Sequence, residues 1–156
     1  DVRSIRYPGI VSYKSPPGGG TTDYAIAIFH AALRGETYEC FLGPETTLPM
    51  IYMPDAIRAT IELMDAPAER VAIRSSYNVA GISFNPRELA VAIQKKRPAF
   101  RIAYKPDSRQ QIADSWPKSL DDSRAARDWG WQARVELDEM VDDMLAHVDV
   151  GMSKAA

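Results

Sequence analysis

The sequence predicts an α/β fold, and two observations support this. Segments typical of strands and of helices alternate between residues 47 and 104, as they do when helices cover a mostly parallel sheet. The chain then ends on an amphipathic helix, whose apolar residues recur at helical spacing at Leu137, Met140, Val141, Met144, Leu145 and Val148. A length of 156 residues with 46% hydrophobic residues suits one unit, predicted at residues 1–150, with a tail at 151–156.

The first elements are a short strand and a buried helix. Residues 1–7 are interpreted as a strand, although their apolar residues alternate poorly. Residues 22–34 are predicted to form a helix that ends at Gly35, because glycine readily adopts the left-handed conformation found after helices. The run from Tyr24 to Phe29 is apolar almost all round, so we expect this helix to be largely buried.

A loop rich in glycine, proline and hydroxyl residues joins these two elements, and it contains the triplet Gly18-Gly19-Gly20. Three glycines let the backbone approach a ligand closely, and Thr21 or Thr22 can cap the helix N-terminus. A strand, a glycine-rich loop and a helix N-terminus are together typical of a site for a polar small molecule. A flexible surface connection is the alternative interpretation.

The middle of the chain is predicted to form two strands and a helix. Residues 38–42 and 47–53 are the strands, and Pro49 indicates that the second lies at an edge or contains a bulge. Pro54 opens the helix. Its apolar stripe is expected at Ile57, Ile61 and Met64, and its exposed side at the ion pair of Arg58 with Glu62.

The elements after residue 75 follow from clearer signals. Residues 76–80 are predicted to be a strand, and Asn85-Pro86-Arg87-Glu88 is a strong helix start. Lys95-Lys96-Arg97 closes that helix, and we prefer this role to a nucleic-acid patch. Residues 100–104 alternate as a half-buried strand. Two further segments are predicted, an irregular or short-helical one at 106–118 and a short helix from 121 to 130.

Composition excludes several classes of function. The net charge of -2 gives no electrostatic basis for binding nucleic acid or an anionic membrane. The sequence has no apolar run that could cross a bilayer and no recognisable signal peptide. Cys40 is the one cysteine, which excludes an intrachain disulfide and favours a reducing compartment. We predict that Cys40 is buried and inert and that the chain binds no metal.

Several motifs are spread over nearly the whole chain: Arg6-Tyr7-Pro8-Gly9-Ile10, Gly18-Gly19-Gly20-Thr21-Thr22-Asp23-Tyr24-Ala25, Leu48-Pro49-Met50-Ile51-Tyr52, Ser115-Trp116-Pro117 and Asp128-Trp129-Gly130-Trp131. Together they resemble the second half of the extended short-chain dehydrogenases (the NAD-dependent epimerase/dehydratase family). They resemble the L-threonine 3-dehydrogenase type most. The resemblance implies the last strands of a Rossmann-like sheet plus the small substrate-binding lobe.

The resemblance also implies ligands and site residues. The family uses NAD, and its threonine dehydrogenases convert L-threonine to 2-amino-3-oxobutanoate. Carried over by position, the cofactor-binding residues are Tyr7, Pro8 and Ile10, which would lie against the nicotinamide. The substrate-binding residues, which would line the pocket for L-threonine, are Gly20, Thr21, Thr22 and Trp116.

The same resemblance implies that the chain is incomplete as a catalyst. The family's G-x-G-x-x-G turn and Tyr-x-x-x-Lys pair belong to its first half, and the present sequence contains neither. We therefore predict no catalytic residue in this chain, inactivity on its own, and dependence on a missing N-terminal half. The full-length enzyme is expected to be a homodimer in the cytoplasm, or in the mitochondrial matrix of a eukaryote.

Two alternative functions stay open on the residues alone. The first is a fragment of an NAD-dependent nucleotide-sugar epimerase or dehydratase, and the second is a non-enzymatic binding domain. In sugar-nucleotide enzymes of this family an arginine holds the diphosphate, and the aligned position here is Leu48. Because a charge-assisted contact to phosphate is lost there, threonine dehydrogenase is the preferred function.

Overall fold

The computed structural model describes residues 1–151, so that residues 152–156 of the predicted tail lie outside the described residues. The helices in this range are α1 (Tyr24–Arg34), α2 (Met53–Asp65), α3 (Pro86–Lys96), α4 (Arg109–Asp114), α5 (Ser123–Trp129) and α6 (Leu137–His147). The strands are β1 (Ile5–Arg6), β2 (Gly9–Val11), β3 (Tyr38–Cys40), β4 (Leu48–Tyr52), β5 (Tyr77–Asn78), β6 (Ile82–Phe84) and β7 (Ile102–Tyr104).

Most strand pairs are parallel. β1 pairs with β5, β2 with β4 and β3 with β7 in parallel, whereas β4 and β6 are antiparallel. Parallel neighbours need long crossover connections, and helices lie between the members of each parallel pair along the chain. The predicted α/β class is thereby confirmed. The sequence analysis did not predict β6, whose short segment follows Gly81.

Pro49 lies in the central strand of the three-stranded sheet, which has the order β2-β4-β6. The prediction of an edge strand was therefore wrong for β4 as a whole. The register explains why a proline fits there: β2 begins at Gly9, which pairs with Met50, so that Pro49 pairs only with Ser83 of β6. At Pro49, β4 therefore has a neighbouring strand on one side only, and the missing proline N–H costs no hydrogen bond on the unpaired side.

The predicted helix ends agree well with the structure. Gly35 follows α1 with φ of 71°, and Gly130 follows α5 with φ of 82°, both in the left-handed region. Asn85 accepts a hydrogen bond from the N–H of Glu88 at 2.9 Å, and the Glu88 side chain accepts one from the Asn85 N–H at 2.9 Å. This reciprocal cap begins α3 where the sequence predicts it.

The orientation predicted for α2 was wrong. Ile57 and Ile61 are each 53% exposed and Met64 is 68% exposed, whereas Ala59 and Leu63 are buried. Both sides of this helix carry apolar residues, and the side with Ala56, Ala59 and Leu63 faces the core. The ion pair of Arg58 with Glu62 is present at 2.8 Å, but it lies on the partly buried side.

Two hydrophobic clusters form the core. The larger one surrounds α1, β4, α3 and α6, and α1 is mostly buried in it as predicted. The smaller one lies between α2, β5 and α5, and it includes Trp129 and Trp131. Trp131 is 2% exposed and donates its indole N–H to the carbonyl of Ala80 at 3.2 Å.

The basic end of α3 contacts α6. Lys95 pairs with Asp138 at 2.8 Å and Lys96 pairs with Asp142 at 2.8 Å. Within residues 1–151, no helix combines the length and the apolar content that crossing a membrane requires.

We expect Gly81→Ala to destabilise the fold. An added Cβ would lie 2.6 Å from the carbonyl oxygen of Met50 and 2.8 Å from Cα of Ile51, and the β4 backbone cannot move aside without disturbing both of its strand pairs. The free energy of unfolding should fall by about 1–3 kcal/mol in a denaturant titration. The control is Gly43→Ala, whose Cβ would meet side-chain atoms at 3.4 Å or more. Equal stability of the two variants would contradict the packing at Gly81.

Candidate functional site

A pocket of about 270 Å³ lies where β1 passes into β2, against the start of α1 and the segment after α4. It is lined by Arg6, Tyr7, Pro8, Gly9, Thr22, Pro49, Trp116, Pro117 and Leu120. Tyr7, Pro8, Thr22 and Trp116 among these are residues that the sequence analysis assigned to the cofactor or the substrate. Four predicted residues from three distant parts of the chain thus meet in one cavity.

Thr22 and Gly9 are in close contact at the base of this pocket. A Cβ on Gly9 would lie 2.7 Å from Cγ2 of Thr22 and 2.5 Å from Sδ of Met50. Only a residue without a side chain allows Thr22 to sit against β2 in this way. In the Tyr-Pro-Gly motif, Tyr7 and Pro8 therefore line the pocket, and Gly9 leaves room for Thr22.

The glycine-rich loop is held by one carboxylate. Asp23 Oδ2 accepts hydrogen bonds from the N–H groups of Gly19 at 2.5 Å and Gly20 at 2.8 Å. These donors are thus engaged within the loop, which distinguishes it from a loop whose amides are aimed at a phosphate. Gly20 is exposed, Thr21 is 8% exposed, and neither belongs to the lining of the pocket. Their substrate-binding roles stay predictions.

Tyr7 and Pro8 form the wall of the pocket next to α2. The Tyr7 hydroxyl forms a short hydrogen bond with the hydroxyl of Thr60 and a longer one, at 3.4 Å, to the carbonyl of Ala56. This contact fixes the ring position from the α2 side. Ile10 is 37% exposed and is absent from the lining of this pocket, so its contact with a cofactor stays a prediction.

Trp116 is a partly exposed wall shared by two pockets. It is 41% exposed and also lines a second cavity of about 350 Å³ that is formed with the loop at residues 43–47. Its position depends on α4, where Gln110 accepts a hydrogen bond from the Gly43 N–H at 2.7 Å and donates one to Thr46 Oγ1 at 3.0 Å. The Trp116 indole therefore forms a wall of the first pocket, while the α4 segment that carries it is held by contacts outside that pocket.

The lining of the pocket suits a ring and a small polar ligand better than a diphosphate. Arg6 is its one charged residue, and the Arg6 guanidinium donates to Asn78 Oδ1 at 2.8 Å. The aromatic and proline walls offer flat apolar surfaces, and Thr22 adds a hydroxyl. The predicted contacts with nicotinamide and a small substrate are compatible with this lining and stay predictions. They include no carboxylate, histidine or lysine that could act as a catalytic acid or base.

Two titratable groups outside the pocket, Cys40 and His30, lack the features of a reactive centre. Cys40 is buried as predicted, and burial raises the pKa of its thiol, which keeps the thiol protonated and unreactive. His30 is 8% exposed. Burial lowers the pKa of its imidazole, and the nearby positive charge of Arg34 lowers it further. A metal-binding group of histidine, cysteine and carboxylate side chains is not found among residues 1–151.

Five residues of the pocket lining were not predicted as site residues, namely Arg6, Gly9, Pro49, Pro117 and Leu120. Pro117 belongs to the Ser-Trp-Pro motif, and Leu120 lies three residues further along the chain. Their proximity to Trp116 was the available signal. The place of Pro49 depends on the pairing of β2 with β4, which no local pattern reveals.

Comparison with known proteins gives a consistent result, although no protein-family model matches the chain. A mitochondrial L-threonine 3-dehydrogenase of Sus scrofa is 54% identical over 93% of this chain and 39% of its own length. An uncharacterized epimerase/dehydratase of Staphylococcus haemolyticus is 41% identical over 96% of this chain and 47% of its own length.

A solved structure shows that the similarity extends to the fold. The GalE-like L-threonine dehydrogenase of Cupriavidus necator is 62% identical with a TM-score of 0.93, over 96% of this chain and 54% of that one. The chain therefore spans about half the length of its relatives. Over nearly its whole length the chain is similar to one half of these L-threonine 3-dehydrogenases.

Proposed function

We propose that the chain is the substrate-binding half of an NAD-dependent L-threonine 3-dehydrogenase, which oxidises L-threonine to 2-amino-3-oxobutanoate. The observation that carries this proposal is the pocket in which Thr22 and Trp116 face Tyr7 and Pro8. Identity of 62% to a GalE-like L-threonine dehydrogenase supports it. The pocket volume of about 270 Å³ suits a small amino acid beside a ring.

Each residue has a role that follows from its chemistry. The Thr22 hydroxyl can donate to or accept from the polar groups of an amino acid at the start of α1. Trp116 fills space and excludes water from the reacting carbon. Tyr7 and Pro8 would hold the ring of NAD, which supplies an acceptor for the hydride that leaves the alcohol carbon.

The remaining parts of the reaction are assigned to the other half of the enzyme. The pocket lining has no carboxylate, histidine or lysine for the hydroxyl proton, so we assign the proton acceptor and the pyrophosphate site to that half. We propose a homodimer of the full-length enzyme, located in the cytoplasm or in the mitochondrial matrix of a eukaryote. The names of the relatives from Sus scrofa and Bos taurus place those proteins in mitochondria.

Leu48 argues against a nucleotide-sugar substrate. It is 0% exposed within β4, where it pairs with Phe84 of β6. A side chain enclosed in this way cannot contact a diphosphate, and the arginine that sugar-nucleotide enzymes would need there is replaced by a core residue. The epimerase alternative thus lacks its main anion-binding group.

We expect Thr22→Ala and Trp116→Ala to impair threonine oxidation by a full-length enzyme that contains this chain. Loss of the Thr22 hydroxyl removes one polar contact and should lower kcat/KM roughly fivefold, mainly through KM. Loss of the indole should lower kcat/KM roughly tenfold or more. Ile112→Ala, a change of a 47% exposed residue on α4, is the control for general damage near Trp116. Equal kinetics of all three variants would contradict the assigned pocket.

A further inference from the structure

Trp116 is a wall of two cavities that lie side by side. One is the substrate pocket of about 270 Å³, and the other, of about 350 Å³, is lined by the loop at residues 43–47 together with Ala113, Asp114 and Lys118. The side chain is 41% exposed, so that packing alone holds it weakly. A shift of the indole toward the second cavity would enlarge the first. The size of the substrate pocket therefore depends on the contacts that fix Trp116.

The backbone of Trp116 is attached to the last turn of α4. Its N–H donates to the carbonyl of Ala113 at 3.1 Å, and the N–H of Ser115 donates to the carbonyl of Ile112 at 3.1 Å. Pro117 follows directly and restricts the backbone conformation of the residue before it. The position of the indole therefore follows the position of α4.

Gln110 links α4 to the loop at residues 43–47. Its Oε1 accepts from the Gly43 N–H at 2.7 Å, and its Nε2 donates to Thr46 Oγ1 at 3.0 Å and to Asp114 Oδ1 at 2.6 Å. A backbone N–H can only donate and a carboxylate can only accept, so that a flipped amide would lose both contacts. One side-chain amide thus joins the loop to the last residue of α4 in a single orientation.

The loop to which Gln110 binds is itself firmly held. The Thr46 N–H donates to the carbonyl of Gly43 at 3.2 Å, which closes a turn. The N–H of Arg87, in the first turn of α3, donates to the carbonyl of Pro44 at 3.2 Å, and its guanidinium pairs with Glu45 at 2.8 Å. Helix α3 packs in the larger core cluster. The loop is therefore an anchor, and α4 is the element that Gln110 holds in place.

We propose that Gln110 is a positioning residue that sets the place of Trp116 and thereby restricts the substrate pocket to an amino acid as small as threonine. This inference rests on the proposed function. Gln110 does not line the substrate pocket, so that its effect passes through α4 and the indole. A 2-amino-3-hydroxy acid with a longer side chain meets the indole and is rejected. Without Gln110 the indole shifts toward the second cavity and the longer acid is accepted.

The kinetic test compares two substrates of a full-length enzyme that contains this chain. They are L-threonine and 2-amino-3-hydroxypentanoate, which has one methylene more. One methylene is typically discriminated by about tenfold or more in kcat/KM. We expect Gln110→Ala to reduce this preference for threonine by roughly threefold or more, because the wall of the pocket is displaced. Gln111→Ala, the same change at the exposed neighbour on α4, should keep the preference of the wild type.

Fluorine NMR of the same enzyme labelled with fluorotryptophan measures the position of the indole without any turnover. The Trp116 resonance is the one that disappears in Trp116→Phe. We expect Gln110→Ala to shift or broaden this resonance and Gln111→Ala to leave it unchanged. Tm alone would not distinguish this role from a general contribution of Gln110 to stability.

Thr46→Val is a second variant that removes one partner of Gln110 and keeps the shape of the side chain. It should change the Trp116 resonance and the substrate preference in the same direction as Gln110→Ala, and it guards against misfolding of that variant. Addition of Thr46→Val to Gln110→Ala should have no further effect on the preference, because both changes act through one contact.

The outcomes separate this inference from the proposed function. A wild-type enzyme that does not oxidise threonine contradicts the proposed function, whereas the Trp116 resonance still tests the role of Gln110. A wild-type resonance in both Gln110→Ala and Thr46→Val overturns the positioning role. A changed resonance with an unchanged preference for threonine also overturns the inference, because the indole would then not set the size of the pocket.

Discussion

Asp55→Ala is expected to lower the free energy of unfolding by about 3 kcal/mol, because it breaks a buried ion pair by removing one partner. Asp55 is 3% exposed. Its Oδ1 accepts from the Arg58 guanidinium at 2.8 Å, and its Oδ2 accepts from the backbone N–H groups of Arg134 at 2.8 Å and Val135 at 3.1 Å. Loss of this carboxylate leaves two backbone N–H groups without an acceptor and removes one of the acceptors of Arg58.

The effect should spread to the contacts of Arg58. Its guanidinium lies 4.5 Å from the ring centroid of Trp131 and donates to the carbonyl of Gln132 at 2.6 Å. Asp55 therefore joins α2 to the segment between α5 and α6. Asp142→Ala, which removes the carboxylate of a largely exposed ion pair, should change stability by less than about 0.5 kcal/mol. Comparable losses in the two variants, measured in urea, would contradict the role given to Asp55.

The stabilisation by Asp55 should depend on pH. Burial by itself raises the pKa of this carboxyl, but hydrogen bonds from Arg58 and from the N–H groups of Val135 and Arg134 outweigh it and hold the pKa below 3.8. A folded pKa below the unfolded one means that the contribution is complete above pH 3.8 and is lost as the pH falls through the folded value. The difference in stability between the wild type and Asp55→Ala should therefore shrink in acid.

Gly9→Ala is expected to damage the substrate pocket. The new methyl group would lie 2.7 Å from Cγ2 of Thr22 and 2.5 Å from Sδ of Met50, which forces Thr22 away from β2. Displacement of a binding group by about 1 Å can reduce kcat/KM by roughly 10²-fold. Steady-state kinetics of the full-length enzyme with threonine would measure this loss.

Gly18→Ala is the matched control for Gly9→Ala. Its added Cβ would meet Asp23 Oδ2 at 3.5 Å, an ordinary contact, because Gly18 lies in the glycine-rich loop and not in β2. Its kcat/KM should stay within about threefold of the wild type. A Gly9 variant as active as the Gly18 variant would show that Thr22 does not need its observed position.

Local signals in the sequence predicted the helix ends, because each depends on a few adjacent residues. The cap of Asn85 with Glu88 and the glycines at 35 and 130 are examples. The buried side of α2 could not be predicted in the same way. Both of its sides carry apolar residues, and the choice between them depends on which side meets β5 and α5.

The pocket was predictable in part. Thr22 and Trp116 were assigned from motifs, and both line the cavity with Tyr7 and Pro8. Thr21 is the first residue of a short 3₁₀ turn before α1, is 8% exposed and is absent from the lining of this cavity, so its role stays a prediction. The hydrogen bonds from the Gly19 and Gly20 N–H groups to Asp23 were not predicted from the sequence. Three consecutive glycines suggest a flexible backbone, whereas here one carboxylate holds the loop in place.

The most direct test of the proposed substrate offers a full-length enzyme that contains this chain either L-threonine or a UDP-hexose, each with NAD. The pocket is small, has Trp116 as a wall and has Leu48 where a diphosphate would need a cation. We predict reduction of NAD with L-threonine, measured at 340 nm, and no conversion of the UDP-hexose. Conversion of the UDP-hexose without oxidation of threonine would contradict the assignment and favour the epimerase.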